Sequence, residues 1–471
     1  MNKKAYIPLL ALLLGGCSFM PEYFRPAAPV PPQWPAEVKS EGALQAPQLA
    51  WQEVFPDPWL QGLVKAALEN NRDLRIAVAR VQEARALYGV QKADRLPNFD
   101  ASIGRTAALT PGSASPSGQN FEVSYYSGTF NLLSFELDFW GRVKSLSDAA
   151  LASYLSTEEA RRNARMSLIA DVVNAALTLR EMEERVAYSK STLAARAKTR
   201  ELVTLRRDAG IATDQDVFQA DGALETTRAD LASLERQRIA AANALRLLVG
   251  GNVDNLPAPR SLAEQGIRAD FAADLPAELL LRRPDVLAAE QKLIAANANI
   301  GAARAAFLPR ITLTGGFGNA STALSKLFDG EGRTWNFAPM MRIPIFEGGR
   351  TTANVDLAEA RKVIAVAEYE RTIQQAFREV ADLLAAREWL AQQIEAQLAN
   401  QKSQLDRLRL AELRYDAGVI SHLELLDAQR DAYNTRQQTV QLQRQMLTTA
   451  ANLYKALGGG DEARGGAEAK S

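Results

Sequence analysis

The feature that most constrains this chain of 471 residues is an internal repeat, because both halves must fold into the same structural unit. One offset aligns 71–74 (NRDL) with 283–286 (RPDV) and 95–97 (RLP) with 307–309 (FLP). A slightly shorter offset aligns three later pairs of segments: 141–142 with 349–350, 208–210 with 416–418, and 250–251 with 458–459. Because the glycines and prolines coincide over nearly the whole length, the repeat predicts two copies of one order of elements.

Each half begins with a helix and a pair of strands. The helices, over 72–95 and 284–306, end before Pro97 and Pro309, because proline cannot continue a helix. In the following strands apolar residues alternate with polar or small ones, as in Phe99, Ala101 and Ile103 against Asp100, Ser102 and Gly104. Loops over 110–120 and 326–334 then lead into return strands over 121–137 and 335–345. Such alternation fits a lipid-facing sheet and a half-buried soluble sheet equally well.

Two long helices follow, over 142–209 and 350–416, and neither contains an internal proline or glycine. Each reaches a glycine-containing turn and returns as a second helix, over 214–248 and 422–457. The pattern predicts two long antiparallel coiled-coil hairpins. Buried positions expected between the helices are Val172, Ala176, Leu179 and Val186.

Each half supplies two strands, and four strands per chain cannot close a membrane barrel, which needs about eight. If the strands lie in lipid, several chains must therefore share one barrel. The number of copies does not follow from this count.

The N-terminus is typical of a lipoprotein. Residues 1–16 are predicted to be a signal peptide, with Lys3 and Lys4 before an apolar run. The sequence LGGC at 14–17 resembles a bacterial lipobox, which would make Cys17 the acylated N-terminal residue; the alternative is an unmodified cysteine. The proline-rich segment 21–35 is expected to be extended.

Composition excludes several classes of function. The chain has 55 basic and 55 acidic side chains, so a nucleic-acid partner is not expected. A single Cys and a single His exclude an intramolecular disulfide and a structural zinc site. No phosphate loop or catalytic grouping is evident. We therefore expect neither an enzyme nor a cofactor or bound metal, apart from the lipid on Cys17.

Several segments resemble a known family. These segments are PEYFRP (21–26), ELDFWGR (136–142), RPD (283–285), AANANIGAARAAFLPRITLTG (295–315), LDAQR (426–430) and YKALGGG (454–460). They are similar to the outer membrane factors of tripartite efflux pumps, which are TolC-like, and closest to the OprM-like lipoprotein branch. The resemblance covers essentially the whole mature chain.

The resemblance implies an α+β membrane channel in the bacterial outer membrane, anchored by lipid and with a large periplasmic extension. It implies a homotrimer with a 12-stranded β-barrel continued by a periplasmic α-helical coiled-coil barrel. The implied partners are a periplasmic adaptor protein and an inner-membrane transporter, and the exported compounds are drugs, toxic organics or metal ions. The alternatives are a protein-secretion duct of the same fold and a non-channel periplasmic structural lipoprotein. The sequence does not identify the substrate or the class of pump.

This interpretation divides the chain into ten segments. They are the signal peptide (1–16), an acylated, extended N-terminal strap (17–50), a first equatorial helical segment (51–97), barrel strands (98–140), a first helical hairpin (141–251), an equatorial linker (252–282), a second helical segment (283–309), barrel strands (310–348), a second hairpin (349–460) and a tail (461–471) that is expected to be disordered.

Candidate functional residues lie at the two turns between long helices. Glu424 and Asp427 share one helix face, and the resemblance implies that they form acidic selectivity rings at a periplasmic entrance; the alternative is a solvated acidic pair. A latch that holds the entrance closed is implied for Asp216, Tyr415, Arg206, Arg207 and Arg414. Adaptor docking is implied for both turns: Gly210, Ile211, Ala212 and Thr213, and Gly418, Val419, Ile420 and Ser421. Relatives carry arginine where this chain has Ile420. We expect His422 to be a solvent-exposed residue at a helix start rather than a pH sensor.

Overall fold

The computed structural model describes residues 18–35, 46, 49–114, 116, 118–253, 256–271 and 280–459. The predicted signal peptide, Cys17 and the tail from 461 lie outside the described residues. The helices are α1 (Trp51–Val54), α2 (Pro58–Asn70), α3 (Arg72–Ala93), α4 (Arg142–Asp208), α5 (Asp214–Val249), α6 (Pro284–Ala305), α7 (Arg350–Asp416) and α8 (His422–Ala456). The strands are β1 (Asn98–Thr110), β2 (Phe121–Glu136), β3 (Arg310–Ser321) and β4 (Arg333–Arg342). Among the helices of these residues, none combines the length and apolar character needed to cross a bilayer.

The repeat seen in the sequence is also visible in the lengths of the helices. Helices α3 and α6 each have 22 residues, α4 and α7 each have 67, and α5 and α8 have 36 and 35. The predicted helix bounds agree with these to within about two residues. Strand β4 runs from Arg333 to Arg342, whereas the prediction ran from Trp335 to Ile345.

The four strands form one antiparallel sheet in the order β1-β2-β3-β4. Strand β2 pairs with β3, with Phe130 opposite Phe317, so the central pairing joins the two halves of the repeat. Strands β1 and β4 are the edges of this sheet within the chain.

One face of the sheet carries an exposed row of aromatic side chains. The ring of Phe130 lies 5.4 Å from that of Phe99 and 5.5 Å from that of Phe317. Phe317 in turn pairs with Trp335, which is 78% exposed. The opposite face is polar, since Ser102 hydrogen-bonds Thr129 at 3.0 Å. The sheet therefore presents one apolar and one hydrophilic surface.

The chain divides into two compact units. The first unit comprises 1–27, 80–158 and 288–369, and includes the sheet. In it α4 packs against α6 through Ala149, Ala152, Ala295 and Ala298, which are all buried. Side chains this small let two helix backbones approach closely.

The second unit comprises 28–79, 159–287 and 370–471. The ring of Tyr454 packs against Phe55 at 5.8 Å and Phe271 at 5.9 Å, and its hydroxyl donates to the Leu49 carbonyl at 2.7 Å. The four positions predicted to be buried between helices, Val172, Ala176, Leu179 and Val186, are all buried.

Within the first unit, the extended segment 18–27 is held against α6 by an ion pair. The Arg25 guanidinium donates to both carboxylate oxygens of Glu290, at 2.7 and 2.8 Å, and the Tyr23 hydroxyl donates to Glu290 at 3.1 Å. The side chain of Glu290 is buried, so a bidentate arginine is the partner that a desolvated carboxylate needs. Further along α6, the amide of Asn297 donates to the Pro21 carbonyl at 2.7 Å.

Gly301 on α6 allows segment 18–27 to lie this close. A Cβ at this position would come within 2.8 Å of the backbone N and Cα of Met20 and of Ser145 Oγ. We therefore expect Gly301→Ala to displace the segment, and chymotrypsin to cleave after Tyr23 several-fold faster than in the unaltered protein. Gly222→Ala on α5 is the matched control, because a Cβ there meets open space and alanine favours a helix over glycine by about 1 kcal/mol. Equal cleavage of the Gly301→Ala and Gly222→Ala proteins would contradict this account.

Candidate functional site

The candidate site consists of the two turns that connect α4 to α5 and α7 to α8, and both turns are built in the same way. Gly210 and Gly418 adopt left-handed backbone, with φ of +75° and +73°. After Gly210, the Ile211 amide donates to the Arg206 carbonyl at 2.8 Å; after Gly418, the Val419 amide donates to the Arg414 carbonyl at 2.8 Å. These bonds satisfy the last carbonyls of α4 and α7, so each long helix ends sharply at its glycine.

Each return helix begins with a hydroxyl cap. The Thr213 hydroxyl accepts from the Asp216 amide, while the Asp216 carboxylate accepts from the Thr213 amide at 2.8 Å and its hydroxyl at 2.7 Å. These bonds, of which the backbone amide is the stronger cause, lower the pKa of Asp216. On α8, the Ser421 hydroxyl accepts from the Glu424 amide at 3.3 Å. Asp216 thus fixes the start of α5 through a capping box.

The residues predicted to form the latch are only partly brought together. Tyr415 is buried near the end of α7, where the Arg206 guanidinium from α4 lies 4.6 Å from the centre of its ring. Arg207 instead pairs with Asp208 and Asp214. In the described part of the chain, Asp216 and Tyr415 share no hydrogen bond, since the contacts of Asp216 are with Thr213. A cation–π contact, which the sequence did not suggest, therefore connects α4 to α7.

His422 differs from its sequence-based expectation, which was wrong. The side chain is 5% exposed, and its ring lies 5.6 Å from the ring of Tyr415. Burial lowers the pKa of the imidazole, because the charged form loses hydration, and Arg206 adds to this effect; nearby Asp216 opposes it. The sequence did not reveal this burial, because Tyr415, whose ring packs on His422, lies on a different helix.

The two candidate ring carboxylates have different surroundings. Glu424 is exposed and takes part through its backbone amide in the Ser421 cap. The Asp427 carboxylate forms an ion pair with Arg430 at 3.0 Å, and Arg430 also pairs with Asp431. The spacing of three residues between Asp427 and Arg430 is visible in the sequence, which could have indicated this pair.

The turn residues predicted to dock an adaptor are unequal in exposure. Ile211 is 77% exposed, and Val419 is exposed as well. Ile420 is partly buried and packs against a cluster formed by Ala411, Tyr415, Leu425 and Ala428. The apolar surface available at the turns therefore comes mainly from one side chain in each.

Comparison with known proteins identifies the family. The sequence profile of the outer membrane efflux protein family matches residues 63–251 and 275–459, once in each half of the repeat. The outer membrane protein OprJ of Pseudomonas aeruginosa is 44% identical over 458 residues, which cover 97% of this chain and 96% of OprJ. The chain belongs to the outer membrane efflux protein family.

Two further members support this assignment. SrpC of Pseudomonas putida, a solvent efflux pump outer membrane protein, is 42% identical over 461 residues, covering 96% of this chain and 98% of SrpC. The open state of the Neisseria gonorrhoeae MtrE outer membrane channel is 37% identical with a TM-score of 0.86, covering 94% of this chain and 98% of MtrE. The predicted resemblance, fold class and outer-membrane location are therefore confirmed, and this chain is an outer-membrane efflux protein.

Proposed function

We propose that this efflux protein is the exit channel of a tripartite assembly, in which three copies pair their sheets into one barrel and receive cargo from a periplasmic adaptor and an inner-membrane transporter. The observation that carries the proposal is the sheet, with an exposed aromatic row on one face and two edge strands, β1 and β4. In lipid an unpaired edge costs several kcal/mol per backbone group, so the edges need partners. Pairing β1 of one copy with β4 of the next supplies these partners and encloses the polar face.

Transport through such a channel is passive and needs no catalytic group. The cargo proposed is drugs, toxic organics or metal ions, chosen by the transporter. Cys17 is proposed to carry the lipid that anchors the N-terminus, and the exposed side chains of Ile211 and Val419 are proposed to contact the adaptor.

The proposed function is tested by reconstituting the purified protein in planar lipid bilayers. We expect discrete single-channel conductance from a trimer that dissociates on heating. A monomer with no conductance would contradict the proposal and would favour a structural lipoprotein.

The turn carboxylates are expected to set ion selectivity. Replacing both residues, Glu424→Gln with Asp427→Asn, removes two negative charges per copy and leaves Arg430 without one of its two carboxylate partners. Because a ring of carboxylates favours cations, we expect the reversal potential under a KCl gradient to shift clearly towards the chloride potential. Glu225→Gln, in an exposed pair with Arg228 on α5, is the control and is expected to leave the reversal potential unchanged. An unchanged potential in the double variant would exclude the acidic ring.

A further inference from the structure

His422 is the only histidine in the chain, and its surroundings are unusual. It is the first residue of α8, yet its side chain is buried. Neither Nδ1 nor Nε2 has a hydrogen-bond partner among the described residues. Buried polar groups in native proteins are nearly always hydrogen-bonded, so an imidazole with two orphan nitrogens calls for a specific explanation.

The groups around His422 come from all the helix ends that meet at the turns. Tyr415 on α7 packs on the ring, and Arg206 on α4 and Asp216 on α5 act on it electrostatically. Glu424 lies two residues away on α8 itself. The Arg206 guanidinium lies 4.6 Å from the centre of the same Tyr415 ring, so a cation at position 422 would share that ring with an existing cation.

We propose that His422 is a proton-binding site that loosens the packed turns when the periplasm becomes acidic, and so opens the entrance of the channel. Neutral imidazole fits the buried site between Tyr415, Arg206 and Asp216. Imidazolium needs hydration, which the buried site withholds; Arg206 repels it and Asp216 attracts it, but the loss of hydration is the largest effect and the neutral form is favoured. The proposal rests on the proposed channel function, because it identifies the packed turns with the closed entrance.

The direction of the effect follows from proton linkage. Burial holds the pKa of His422 below the ordinary value of about 6.5, whereas an exposed imidazole returns to that value. The exposed state therefore binds more protons, and acidification favours it. The state in which the turns are packed and the imidazole is buried keeps its full free-energy advantage above about pH 6.5. It loses this advantage as the pH falls towards the lowered pKa of the buried imidazole.

Another titratable group near the turns must be separated from His422. Glu412 on α7 has a pKa raised by burial and by Asp416, so it too can take up a proton on acidification. Asp216 has a lowered pKa and stays charged through the same range. Substitutions at position 422 remove the contribution of the imidazole while leaving Glu412 and Asp216 in place.

The first test measures proton binding directly. With one histidine per chain, ¹³C-labelled histidine in the full-length protein, purified with a histidine-free tag in lipid nanodiscs, gives one imidazole resonance. We expect its titration midpoint to lie below 6.5, and to rise towards 6.5 in Tyr415→Ala, which uncovers the ring. A midpoint at or above 6.5 in the unaltered protein would overturn the proposal.

The second test measures gating in planar bilayers. We expect the open probability of the unaltered channel to rise several-fold between pH 7.5 and 5.5, because acidification favours the state in which the imidazole is exposed and binds a proton. His422→Phe and His422→Gln should each abolish most of this rise. His422→Gln combined with Leu423→His moves the imidazole to a position that is 54% exposed, and should not restore it.

The outcomes separate this inference from the proposed function. Conductance with a pH dependence that survives in both His422 variants would assign the effect to Glu412 or another group and overturn the proposal. Absence of conductance at every pH would contradict the channel function itself, while the resonance titration would still report on the buried site.

Discussion

Tyr415→Ala is expected to open the channel at neutral pH. The ring of Tyr415 is buried and contacts both the Arg206 guanidinium, at 4.6 Å, and the imidazole of His422, at 5.6 Å. Truncating a buried aromatic side chain costs about 3–5 kcal/mol, because the packing is lost and a cavity remains. If the packed turns close the entrance, even about 1.4 kcal/mol of this cost raises the open-to-closed ratio tenfold. Single-channel recording at pH 7.5 measures that ratio.

Two further variants locate the cause of this opening. Tyr415→Phe keeps the ring and removes only the hydroxyl, which is not bonded to Asp216 in the described chain, so we expect gating close to that of the unaltered protein. Tyr154→Ala removes a stacked tyrosine from the other end of α4 and controls for loss of an aromatic side chain. If Tyr415→Phe opened the channel as fully as Tyr415→Ala, the hydroxyl latch implied by the family resemblance would be supported over ring packing.

Local and repeated patterns allowed much of the fold to be predicted from the sequence. Helix ends were marked by Pro97 and Pro309, because proline cannot continue a helix, and by Gly210 and Gly418, because glycine commonly ends one. The two long stretches that contain neither residue predicted α4 and α7. The alternation around Phe99 predicted a sheet with two unlike faces. Because the same pattern occurs in both halves of the repeat, each of these predictions was supported twice.

The surroundings of individual side chains at the turns could not be predicted in the same way. The ring of Tyr415 packs on His422 and Arg206 acts on it electrostatically, and both come from helices whose alignment with α8 is not encoded in any local pattern. The ion-pair partner of Asp427 could have been predicted from the sequence, because Arg430 lies one helical turn further along the same face. Contacts within a turn of helix are thus readable from sequence, whereas contacts between helix ends are not.

A buried ion cluster illustrates the same limit and gives the largest expected effect on stability. The Glu181 carboxylate on α4, 4% exposed, accepts from Arg185 at 3.0 Å and forms an ion pair with Arg444 of α8. Arg185 also donates to the Gln437 side chain at 2.7 Å. The spacing of Glu181 and Arg185 is visible in the sequence, but Arg444 comes from the second half of the repeat. One carboxylate therefore neutralises two guanidinium groups that connect α4 to α8.

Glu181→Ala is accordingly expected to destabilise the helical hairpins strongly. It leaves two partly buried cations without a carboxylate, and breaking a buried pair in this way costs about 3–5 kcal/mol. Thermal unfolding followed by circular dichroism at 222 nm should show loss of helix several degrees lower than in the unaltered protein. Asp382→Ala is the matched control, because its pair with Arg378 is 70% exposed on the carboxylate side and such pairs contribute about 0–1 kcal/mol. Equal shifts for the two variants would mean that the buried, doubly paired Glu181 stabilises the protein no more than an exposed carboxylate with one partner.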